Sequence, residues 1–129
     1  MDKLRVDFHV SKDLECKCTQ RGNPDKVLEP IKVKRGDDKE REIEFKLMNT
    51  NYEFAGFISP QDKKHECFNV EKIGKRGQHS IMTVMDRFKN GASCDGLFDY
   101  ELVFRKTPDP KEQTAGGNLY RYDPQIKNQ

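Results

Sequence analysis

The most reactive backbone chemistry in this sequence lies in two aspartyl-prolyl pairs, Asp109-Pro110 and Asp123-Pro124. An aspartate carboxyl can reach its own backbone carbonyl, and a proline nitrogen is a more basic leaving group than an ordinary amide nitrogen. Attack by the carboxylate gives a cyclic anhydride and a free proline terminus. In an unfolded chain the reaction needs acid. A fold that performs it at neutral pH must hold the carboxyl in attack geometry, exclude water and give a proton to the departing nitrogen. Asp109-Pro110 falls in Thr107–Gly117, which contains two prolines and two glycines and no apolar alternation, so it reads as a long loop. Nothing there would fix such a geometry. Asp123-Pro124 instead follows the apolar run Leu119–Tyr122.

Cysteine is the second reactive type. Cys16 and Cys18 flank one residue, so on a strand both face the same way. Structural zinc sites favour cysteine pairs separated by about two to four residues, and adding His65 and Cys67 to this pair is a free choice of partners. With no secretory signal at the start of the sequence, the expectation is four reduced thiols in a cytoplasmic protein. Closing Cys16 onto Cys18 would strain the bridge geometry, so no disulfide is expected between them. His9, His65 and His79 are scattered, and no phosphate-binding glycine loop or nucleophile elbow is present.

The elements that must position these groups repeat every two residues. Leu4, Val6, Phe8 and Val10 alternate with Arg5, Asp7 and His9; Ile43, Phe45 and Leu47 alternate with Glu42, Glu44 and Lys46. Tyr100, Leu102 and Phe104 stand between Asp99, Glu101, Val103 and Arg105. Weaker runs lie at Val27–Lys34, Tyr52–Ile58, Cys67–Ile73 and Ser80–Asp86, with Pro30 interrupting the first. Arg21–Asp25 and Asn90-Gly91 read as turns. No segment carries a capped helical stripe. The pattern predicts one all-β domain over residues 1–129, an antiparallel two-sheet β-sandwich of seven to nine strands in the immunoglobulin-like manner. Phe8, Phe45, Leu47, Phe54, Val84, Leu102 and Phe104 are the expected core.

Composition permits such a core and little more. Charged residues make up 36% and the net charge is +2. Leu, Ile, Val and Phe together lie just above the roughly 20% below which charged chains stay disordered. The near balance of 24 basic and 22 acidic residues argues against a dedicated nucleic-acid binder. No apolar run approaches the roughly 18 residues of a membrane span.

A short sandwich ending in Tyr122-Asp123-Pro124-Gln125-Ile126-Lys127-Asn128 resembles the DP-EP family, small bacterial β-sandwich proteins. Ser80–Asp86, Asn90-Gly91 and Gly96–Phe104 look like that family's strand, turn and strand before the terminal Asp-Pro strand. The resemblance covers about the last 50 residues. It implies an autocatalytic endopeptidase that cuts its own Asp123–Pro124 bond without a cofactor, the C-terminal piece staying in the sheet. It also implies that a lysine can join the new aspartate end through an isopeptide bond, for which Lys106 is the candidate at the end of the neighbouring strand. Asp123 is then the nucleophile or water activator and Pro124 the leaving group. Glu101 is a candidate acid if pairing sets it opposite Asp123, and Asp86 is a comparable one. The partner implied is the protein itself, through an exchanged strand. The rival readings are a non-enzymatic sandwich that binds another protein and a zinc-binding module.

Overall fold

The computed structural model describes residues 3–34, 40–58, 67–74, 80–87, 96–107, 118–123 and 125–128. These form twelve strands: β1 (Leu4–Val10), β2 (Cys16–Gln20), β3 (Asn23–Val27), β4 (Ile31–Val33), β5 (Glu40–Leu47), β6 (Tyr52–Ile58), β7 (Phe68–Ile73), β8 (Ile81–Arg87), β9 (Gly96–Asp99), β10 (Glu101–Lys106), β11 (Tyr120–Tyr122) and β12 (Gln125–Asn128). There is no helix among the described residues, hence none long and apolar enough to cross a membrane.

The strands form three sheets. One has six strands in the order β3-β2-β1-β5-β8-β7; the others have three each, β11-β10-β6 and β4-β12-β9. Alternation sends one set of side chains from each sheet into a common core. Phe8 of β1 stacks on Phe54 of β6 at 5.8 Å between ring centroids and on Tyr122 of β11 at 5.7 Å, and meets Phe104 of β10 edge-on at 5.4 Å. Ile31, Val33 and Ile126 bring the β4-β12-β9 sheet into the same cluster. The result is a β-sandwich-like fold. All seven core residues expected from the period are buried.

Three features depart from the sequence reading. Strands outnumber the seven to nine expected, because runs that read as continuous are divided between sheets: Pro30 separates β3 from β4, and Tyr100 separates β9 from β10. Arg21–Asp25 is not a loop throughout, since β3 begins at Asn23. Nor is the pairing wholly antiparallel: β1 runs parallel to β5 and β12 parallel to β4. Parallel neighbours need a long crossover. The chain supplies one for β1 and β5 by passing through β4 in another sheet before returning as β5.

Asp7, which the alternation sets on the face opposite Val6 and Phe8, is only 4% exposed. Its carboxylate accepts from Arg21 Nε at 2.6 Å and from the Gly22 backbone N–H at 3.0 Å. Gly22 has φ +77°, the left-handed region that glycine enters without a Cβ penalty. Arg21 also donates to Glu44 Oε1 at 3.1 Å, which ties the β2–β3 turn across β1 to β5.

The thiols also differ from expectation. Cys16 and Cys18 are free, but Cys67 is disulfide-bonded, so the four cysteines are not all reduced; Cys94 lies outside the described residues. Burial pushes the Cys16 thiol up to about 11 and the Cys18 thiol up to about 12. At pH 8 either thiolate is then a fraction of order 10⁻³ or less, and the thiolate is the reactive form. Two thiols should therefore resist alkylation in the folded protein at pH 8 and react once it is denatured without reductant. Four reactive thiols, or none, in the denatured chain would contradict this assignment.

Candidate functional site

Asp123 lies between β11 and β12, where the chain leaves one three-stranded sheet and enters the other. The joint has a counterpart. Tyr100 lies between β10 and β9, the partners of β11 and β12. Counting on from Leu102↔Tyr122 leads to Asp99↔Gln125 with no residue inserted on either side. The four strands therefore share one antiparallel register, a single long hairpin that changes sheets part-way. Sheet corners of this kind are made where strands pass from one sheet to the next.

That register fixes the neighbours of Asp123. Phe98, Tyr100, Leu102 and Phe104 turn inward on one arm, and Tyr120, Tyr122 and Ile126 on the other. Asp99, Glu101, Asp123 and Gln125 occupy the intervening positions. Counting sets Glu101 level with Asp123, the condition on which its candidacy as the acid depended. Glu101 lies 3.7 Å from Arg121 Nη1, and Gln125 Nε2 donates to Asp99 Oδ1 at 2.8 Å. On one side of the joint Tyr122 is held by its stacking on Phe8; on the other, Ile126 is fully buried between β4 and β9. Tyr122 before Asp123 and Ile126 beyond it thus both pack on the core, while Asp123 itself is exposed. Pro124 lies outside the described residues, as do Asp109 and Pro110.

Asp123 opens onto a cavity of about 330 Å³, lined also by Glu29, Pro30, Asp99, Tyr122 and Gln125. Beneath the joint, Tyr100 is 1% exposed and its hydroxyl has no partner in hydrogen-bonding geometry among the described residues. Its polar neighbour is the Cys18 thiol. Burial first, then that thiol and the charge of Glu29, hold the phenol well above its usual value.

The other sequence candidates lie elsewhere. Asp86 is fully buried on β8 of the six-stranded sheet, level with Arg41 and Phe68, and does not line the cavity. Lys106 is exposed at the far end of β10, level with Tyr52. It is five residue steps from Glu101, about 17 Å along an extended strand. The ladder does not bring it to Asp123. Among the described residues no group of three or more His, Cys, Asp or Glu could hold a metal ion, and His65 lies outside them. No protein-family model matches the chain, and no curated protein matches it. Glu29 is the carboxylate that the sequence reading missed. It stands far from Asp123 in sequence, and only the parallel β4–β12 ladder brings the two segments together.

Proposed function

We propose that this protein is a self-cleaving β-sandwich that cuts its own Asp123–Pro124 bond, as the resemblance to the DP-EP family implies. The observation that carries the reading is the joint at Asp123, clamped by Tyr122 on one side and Ile126 on the other and open to a polar cavity. A peptide held at both ends loses the freedom that makes the uncatalysed attack slow. Asp123 is the nucleophile, the proline nitrogen the leaving group, and no cofactor takes part.

The new C-terminal piece has reason to stay. β12 is the central strand of its sheet, paired with β4 on one edge and β9 on the other, and Ile126 is anchored in the core. In this reading the sandwich is immunoglobulin-like in kind, and the protein's partner is a second copy of itself through exchange of the cut strand. A cytoplasmic location rests on the sequence alone, and the disulfide-bonded Cys67 weighs against it, since disulfides persist mainly in oxidising compartments. Lys106 as isopeptide donor would require the β10 end to approach Asp123, and its place in the ladder disfavours it.

Mass spectrometry under two conditions tests the reading. Aged protein in denaturing solvent should lose the mass of Pro124–Gln129, while native spray of the same sample retains it. A single full-length mass in both, after weeks at neutral pH, would leave a non-enzymatic sandwich that binds other proteins as the better account.

A further inference from the structure

We propose that Glu29 is the acid that protonates the departing proline nitrogen. The inference rests on the self-cleavage reading and adds the group that reading lacks: a proton source on the leaving side of the bond.

Three observations converge on Glu29. It lines the same cavity as Asp123 and Gln125, the two residues that flank the proline in sequence. The nitrogen that must be protonated is bonded directly to the Asp123 carbonyl carbon, about 1.3 Å away, so it cannot lie far from that cavity. The parallel ladder then brings the two segments together. Its first pair is Ile126 with Ile31, and Glu29, exposed, lies with Pro30 in the bend immediately before Ile31. The third observation is availability. Glu29 makes no ion pair or hydrogen bond among the described residues, whereas Asp99 accepts from Gln125 and Glu101 is drawn to Arg121. Asp86, the remaining candidate, stands in the six-stranded sheet.

Asp99 and Asp123 line the same cavity as Glu29, and the Tyr100 hydroxyl and the Cys18 thiol both feel its charge. Among the described residues that line the cavity there is no cation to compete for its carboxylate.

The step balances as follows. The Asp123 carboxylate oxygen attacks its own backbone carbonyl carbon, forming the C–O bond of a cyclic anhydride. The C–N bond to proline breaks, the nitrogen keeps the electron pair, and the Glu29 carboxyl gives it a proton. A secondary amine leaves and Glu29 is left as the carboxylate. Water opens the anhydride to one carboxylic acid and one carboxylate, and Glu29 takes back the proton which that water gives up. Glu101, level with Asp123 on the other arm of the hairpin, is left with a positioning role through Arg121.

The experiment follows the rate of appearance of the Asp123-terminated chain by denaturing mass spectrometry from pH 4 to pH 8. Wild type, Glu29→Gln, Glu29→Asp, Glu101→Gln and Asp99→Asn are compared, each checked for folding by its thermal melt. The wild-type rate should be highest at the acid end and fall toward pH 8, as a reaction that needs a proton donor does. Glu29→Gln should cut about 10²–10⁴-fold more slowly and lose that pH limb; Glu29→Asp should recover part of both. A Glu29→Gln protein that cleaves at the wild-type rate with the wild-type pH profile overturns the assignment and leaves self-cleavage standing. So does a loss of rate confined to Glu101→Gln or Asp99→Asn. A wild-type chain that never cleaves overturns both this inference and the reading beneath it.

Discussion

Asp123→Ala should stay at full length under conditions in which the wild-type chain loses Pro124–Gln129, and Asp109→Ala should cleave as wild type does. The first variant removes the attacking carboxyl and leaves nothing on residue 123 to form an anhydride. The second alters an aspartyl-prolyl pair in the stretch that the sequence pattern reads as a loop. Pro124→Ala should slow scission, because the leaving group becomes an ordinary amide nitrogen. The sharper comparison is with unfolded wild type. Urea at neutral pH keeps the Asp-Pro linkage but releases the Tyr122 and Ile126 anchors and disperses the cavity, so cleavage should fall to the slow rate of an unassisted linkage. Well-oriented intramolecular groups gain roughly 7–11 kcal/mol over free ones; here the carboxyl is already tethered, and what the fold adds is the geometry and the acid. If the urea-unfolded chain cuts as fast as the folded one, the fold contributes nothing and the protein is no enzyme.

The parts of this site that were legible in the sequence are those encoded locally. The two-residue period across Tyr100, Leu102 and Phe104 gives the inward face of β10 and of the joint residue before it, and all three are buried. The same parity, carried through Tyr122, set Asp123 and Glu101 on the opposite positions of the hairpin. The shared register needed only that no residue be inserted on either arm, which no local pattern announces. Glu29 could not have been found this way. It precedes a three-residue strand, β4, whose partner β12 lies at the other end of the chain and runs parallel to it. Parallel pairing across such a separation leaves no turn to betray it. Asp7 was misjudged for a related reason: alternation put it outward, and it is the Arg21 side chain, arriving from the β2–β3 turn, that covers it. Cys67 was read as a reduced thiol from the lack of a signal at the sequence start, an argument from compartment that geometry does not share.

Leu102→Ala should lower stability by about 2–5 kcal/mol, the range for truncating a fully buried leucine whose cavity collapses only in part. Leu102 is fully buried and stands on β10 between Phe57 of β6 and Tyr122 of β11, so the void opens in the middle of that three-stranded sheet. Urea titration should show the midpoint falling at an unchanged slope; a midpoint within error of wild type would mean that Leu102 is not packed as described. The variant also separates two meanings of the word fold. Tyr122 is the cross-strand partner of Leu102, the neighbour of Phe8 and the residue immediately before Asp123. A cavity beside it loosens the anchor of the scissile bond while the sandwich remains assembled. Leu102→Ala should therefore cleave more slowly than wild type even at temperatures where both are fully folded, because a displacement of about 1 Å at a reacting group can cost 10²-fold. A core truncation far from the joint, such as Val84→Ala on β8, should destabilise the protein without that kinetic penalty. Equal slowing by both would mean that cleavage tracks global stability, and the joint at Asp123 would then have no preorganised geometry of its own.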